Sequence, residues 1–241
     1  MNATQSFSQP RQKLRRADFH IRSLETTIER YFWADWYTCE FGRNQEGQYN
    51  FKVETYGMPE DFSLIVGDVV HNLRTALDLL AVEVVGRNGG NTKGVYFPFA
   101  GSAEDLDIMI VRRNFDRAST ADQDLVRSLR PYTGGNYLLR SLHDLDIQDK
   151  HHSVIPHTSL VTTPKISVKL DSAGNPIGFR EGRPELEVDT SEPPNVKFTF
   201  PPDSAFAGEE VLQILRRLHK HVTDIIDQFA VVTVISGGAA V

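Results

Sequence analysis

Cysteine is nearly absent from this sequence: of 241 residues, Cys39 is the only one. A single thiol cannot close an intrachain disulfide and offers no thiolate cluster for zinc, so the chain reads as suited to a reducing compartment, with the cytoplasm as the expected location. A long apolar run is lacking too. The best candidate, Phe229 to Ile235, is interrupted by Thr233 and falls far short of the roughly 20 residues that a spanning helix needs, so no membrane role is expected. The stretch from Met1 to Gln12 is polar and has no apolar core of the kind a secretory leader carries. Positive charge is not in excess: 26 Lys and Arg against 32 Asp and Glu leave a net charge of −6 and a pI near 5.8. That balance argues against wholesale binding to nucleic acid and leaves one local basic patch, at Arg11, Lys13, Arg15 and Arg16. The patterns G-x-G-x-x-G, G-x-x-x-x-G-K-[ST] and G-x-S-x-G do not occur, so dinucleotide binding, P-loop chemistry and a nucleophile elbow receive no support.

What is present is an ordinary globular composition, 40% hydrophobic and 24% charged, with enough apolar residues for a sizeable core. Leu14, Ala17, Ile21, Leu24 and Ile28 recur at helical spacing and predict a helix over 11–34. A second, rich in Val and Leu, is expected over 60–86, stopped by Asn88, Gly89 and Gly90. Capping patterns at Ser102 with Asp105 and at Thr120 with Gln123 predict two short helices. Asn136 caps a helix over 136–153, and Val211 to Phe229 mark one over 205–232. Alternation at Tyr37, Cys39 and Phe41 and at Tyr49, Phe51 and Val53 predicts a hairpin over 36–55, and similar patterns predict strands over 158–200. The expected fold is therefore a single α+β domain over 1–241: a helical core of about four main helices with antiparallel β-hairpins.

Two of these segments carry a resemblance. The stretch PEDFSLIVGDVVHNLRTALD at 59–78, followed by YFPF at 96–99, RPY at 130–132 and LHDLDIQDKHH at 142–152, resembles a family of uncharacterised bacterial proteins. That family has an H-N-L-R-x-A-L-D helix and a later L-x-x-L-x-x-x-D-K-H helix. The resemblance covers roughly residues 59–155 and implies a bacterial origin, but no activity. The chain departs from the family at His152, where a basic residue is usual.

Helical geometry sorts these residues by face, each advancing by roughly 100°. In the 60–86 segment Val69, Leu73, Ala76, Leu77, Leu80 and Val84 form the apolar face, and Asp68, His71, Asn72, Thr75 and Asp78 the opposite arc, with Arg74 at its margin. An Arg74 to Asp78 pair on a solvated stripe explains that arc without any function. In the 136–153 segment Leu138, Leu142 and Leu145 define the apolar face and Asp149 falls at its middle. A carboxylate there is expected to be mostly buried and to take a specific partner, with Arg74, His71 and Asn72 as candidates.

Around Asp149 stand His143, Asp146, Lys150, His151 and His152. Histidines with carboxylates suit a transition-metal site or acid–base chemistry near neutral pH, although no established metal signature matches. The candidate site is thus His71, Arg74, Asp78, His143, Asp149, Lys150 and His151, with no cofactor or metal assigned. His71 and at least one of His143, His151 or His152 are expected to lie close enough to share a ligand. The first functional reading is a binding or interaction protein with a polar network buried between the two helices. The alternative is a hydrolase, metal-dependent or acting on RNA. Arg216 and His221 have the arginine-to-histidine spacing of HEPN-type ribonucleases, but Arg217 stands where those proteins usually place Asn, His or Asp, and a solvated basic face is the better account of the segment.

Overall fold

The structure, a computed structural model, describes residues 7–33, 37–43, 49–55, 57–59, 61–151, 157–162, 166–168, 171–173, 175, 177, 179–180, 183–184, 186–188 and 195–237. Six α-helices occur among them: α1 (Ser8–Trp33), α2 (Asp61–Arg87), α3 (Leu106–Arg112), α4 (Thr120–Leu129), α5 (Tyr137–His151) and α6 (Val211–Gly237). α2 is the hub and touches α1, α5 and α6. It is apolar over more of its circumference than one face requires: Val66, Val70, Ala81 and Val85 are buried along with Val69, Leu73, Leu77 and Leu80. Each such aliphatic side chain contributes on the order of 2 kcal/mol, so a helix wrapped on several sides holds the fold together. No helix among the described residues is long and apolar enough to cross a membrane.

The α+β expectation is corrected, because the structure is helical. Among the described residues strands occur only as two-stranded pairings: Tyr37–Arg43 with Tyr49–Thr55, and a nested set in which His157–Thr162 meets Asn195–Thr199, Ile166–Val168 meets Leu186–Val188, and Phe179–Arg180 meets Arg183–Pro184. None of these pairs gains a third strand among the described residues. Alternating residues specify local pairing, whereas a sheet that shares a core needs three or more strands side by side.

Local signals set the helix ends. At the end of α2, Gly89 adopts φ +74°, its N–H reaches the Gly86 carbonyl at 3.0 Å and the Gly90 N–H reaches that of Val85 at 3.1 Å, the paired bonds of a Schellman cap. Asn136 Oδ1 accepts from the Leu139 N–H at 3.1 Å and opens α5. Two boundaries differ from expectation. The cap of α4 is Ser119, which accepts from the Asp122 N–H at 3.2 Å, one residue before Thr120. Residues 205–210 are turns and isolated bridges to Thr199 and Phe200 that carry Phe206 into the core, so α6 starts only at Val211.

Candidate functional site

The α2–α5 seam divides into an inner and an outer half. On the inner side Arg74 Nη1 lies 2.6 Å from Asp78 Oδ1, yet its N–H bonds are not aimed at that oxygen, so the pair acts through charge and not as a directed hydrogen bond. Asp78 Oδ1 also accepts from the Phe97 N–H at 3.0 Å, and Arg140 donates to the Ala100 carbonyl at 2.9 Å. The 97–100 segment is thereby tied to both helices, which sets Phe99 between them. Its ring stacks on His143 at 4.4 Å and 6°, and the Arg74 guanidinium lies over it at 4.6 Å.

Arg74 Nε donates to His143 Nδ1 at 3.4 Å, which requires that nitrogen to be unprotonated. Burial, then the charges of Arg74 and Arg140, lower the His143 pKa from 6.5 to about 4, against the opposing pull of Asp144 and Asp146. His143 is therefore a neutral acceptor at ordinary pH.

The outer half is built on Asp146, 3% exposed. Its Oδ2 accepts from Lys150 Nζ at 2.5 Å and its Oδ1 lies 3.4 Å from His71 Nδ1, while His71 Nε2 lies 3.4 Å from Thr75 Oγ1. An ionised carboxylate only accepts, so Nδ1 of His71 donates to it, and when the ring is neutral its Nε2 accepts from the Thr75 hydroxyl. The side chains of His71 and Lys150 are 57% and 56% exposed against 4% for Asp146. A buried acid thus orients an exposed imidazole from the neighbouring helix.

Asp149 is mostly but not fully buried, less deeply than Asp146, and its carboxylate lies against the backbone of Gly67: a Cβ built there would stand 2.6 Å from both oxygens. The angular assignment places Asp149 on the inward side, but α5 ends two residues later, so less of the core surrounds it than surrounds Asp146. Asp146 was legible as a flanking acid and was not singled out. The signal that bears on it is that Leu139, and not Leu138, is fully buried with Leu142 and Leu145, turning the face toward residue 146. Asn72, expected on the outer arc, is 8% exposed, accepts from Lys13 Nζ at 3.3 Å and donates to the Asp68 carbonyl at 2.7 Å.

His71 and His143 lie on the same seam but in its two separate halves. Among the described residues no group of three or more His, Cys, Asp or Glu gathers as a metal ion requires. His151 closes α5 with its side chain outside the described part of the structure, and His152 lies outside the described residues. Arg216 and His221 diverge: Arg216 pairs with Glu25 of α1, whereas His221 Nε2 meets Asn136 Nδ2 at 3.0 Å before α5. Arg217 pairs with Glu209 and Lys220 with Asp224, as on a solvated face. No protein-family model, curated protein or solved structure matches the chain.

Proposed function

We propose that the protein is a hydrolase whose outer α2–α5 seam is an acid–base site, with His71 as the base and Asp146 holding it. The observation that carries this reading is the contrast within the seam. Arg74, Asp78, His143 and Phe99 close on one another, with Arg74 Nη1 held by the charge of Asp78 alone, and the side chains of Arg74 and Asp78 are only 11% and 27% exposed. Asp146, already met by Lys150, has no need of a second cation for its own burial, yet it also holds an imidazole that is open to solvent. Carboxylate-oriented histidines are what general-base catalysis uses, and loose hydrogen bonds are ordinary in an unliganded site.

Both resembling motifs contribute residues to this seam, and the lone Cys39 suits a reducing, cytoplasmic setting. The test is turnover of p-nitrophenyl acetate, bis(p-nitrophenyl) phosphate and single-stranded RNA, with and without chelator. The expected result is turnover of at least one probe, reduced by about a hundredfold or more in His71→Gln. Wild type that never exceeds His71→Gln on any probe would overturn the reading. A binding role at the same seam is favoured by one further observation: on α5, Ile147 is 42% exposed, near the exposed Lys150. It predicts that Ile147→Asp abolishes partner capture while leaving any His71-dependent hydrolysis unchanged.

A further inference from the structure

Helical threonines in this protein ordinarily turn their hydroxyl to the backbone one turn earlier. Thr26 Oγ1 donates to the Arg22 carbonyl at 3.1 Å, Thr27 to that of Ser23 at 3.0 Å, and Thr223 to that of His219 at 2.8 Å. Thr75 departs from this pattern, since its hydroxyl meets the His71 ring one turn earlier at 3.4 Å. We infer that Thr75 is a covalent nucleophile, its hydroxyl activated by His71 and His71 positioned by Asp146, and that the group it accepts is the acyl group of an uncharged carboxylic ester. This rests on the reading of His71 as a base.

Hydroxyl, imidazole and buried carboxylate stand in the order that nucleophilic catalysis requires, and a nucleophile one helical turn from its base is a workable arrangement. The charges around them select the electrophile. Asp68 precedes His71 by one turn and Asp78 follows Thr75 by one turn, Asp146 lies behind the ring, Arg74 is engaged by Asp78, and Lys150 by Asp146. A phosphodiester would bring negative charge to a surface where the nearby cations are already paired, whereas a neutral carbonyl meets no such repulsion.

The step balances within the triad. Thr75 Oγ1 bonds to the carbonyl carbon as its proton passes to His71 Nε2, and the Asp146 carboxylate stabilises the resulting imidazolium. The bond from the carbonyl carbon to the leaving oxygen then breaks, that oxygen takes the proton from Nε2, and the acyl group remains on Thr75. Water, deprotonated by the same Nε2, releases the carboxylic acid and restores the hydroxyl.

The experiment uses the full chain with p-nitrophenyl acetate, following the initial burst of p-nitrophenolate and mapping the acetyl group by peptide mass analysis. Wild type and Thr75→Ser are expected to show a burst and an acetyl on residue 75. Thr75→Val, which keeps the side-chain shape, is expected to show neither. Asp146→Asn is expected to acetylate Thr75 at least about a hundredfold more slowly with KM unchanged, a split that simple loss of structure does not produce. Steady His71-dependent turnover that survives in Thr75→Val without an adduct would overturn the nucleophile and leave the base reading standing. Acetyl found on Lys150 or on His71 in place of Thr75 also overturns it. Absence of any His71-dependent reaction overturns both.

Discussion

Acid should loosen the protein through His143 before most of its carboxylates titrate. The His143 pKa falls from 6.5 to about 4 in the folded chain, chiefly by burial and then by Arg74 and Arg140. The unfolded chain therefore binds this proton more readily than the folded one between those values, and unfolding free energy rises with pH across that window. The contribution is fully present above about pH 6.5 and is lost as pH falls toward 4. At about 1.4 kcal/mol per pH unit, the interval of 6.5 to about 4 sets a ceiling near 3 kcal/mol, and solvent at the open edge of the ring reduces this to about 2 kcal/mol. The assay is urea unfolding of wild type and His143→Gln at pH 7 and pH 4.5, with midpoints compared at unchanged slope. Gln keeps an acceptor for Arg74 Nε and takes up no proton in this range, so titrating carboxylates common to both proteins cancel. Wild type is expected to lose about 2 kcal/mol more than the variant between the two pH values. Parallel losses would refute the assignment of His143 as a buried neutral acceptor.

Two further outcomes follow from the packing. Gly67→Ala places a Cβ where the Asp149 oxygens stand and is expected to cost about 1–3 kcal/mol in denaturant unfolding. In an Asp149→Ala background the same change is expected to stabilise by about 0.5–1 kcal/mol through helix propensity, and additive effects would show that the two residues do not compete for space. Asp122, 1% exposed, accepts from Arg87, from Asn88 Nδ2 at 3.0 Å and from Ser119 Oγ at 2.7 Å. Asp122→Ala is expected to lower the unfolding free energy by about 3–5 kcal/mol, and a loss within about 0.5 kcal/mol would mean that this junction of α2 and α4 bears no load.

The sequence by itself determined the features that depend on near neighbours in the chain. The apolar spacing from Leu14 to Ile28, the Gly89 and Gly90 stop and the Asn136 cap each rest on contacts within one turn, and they place α1, α2 and α5 within a few residues. The meeting of α2 with α5 was legible as well, since both carry an apolar face. Tertiary structure decided the rest. Periodicity assigns an angle around a helix but not the depth at which a residue meets its neighbours, so Asp149 was singled out while Asp146 is the more deeply buried of the two. Alternation predicts extended strands over 158–200, but not that the described ones pair two by two without joining a larger sheet, and so the helical class was hidden. The contact of His71 Nδ1 with Asp146 and the neutrality of His143 depend on groups from distant parts of the chain. Hydrogen bonds of that kind have no signature in residue spacing, because the partner is supplied by the packing of one helix on another.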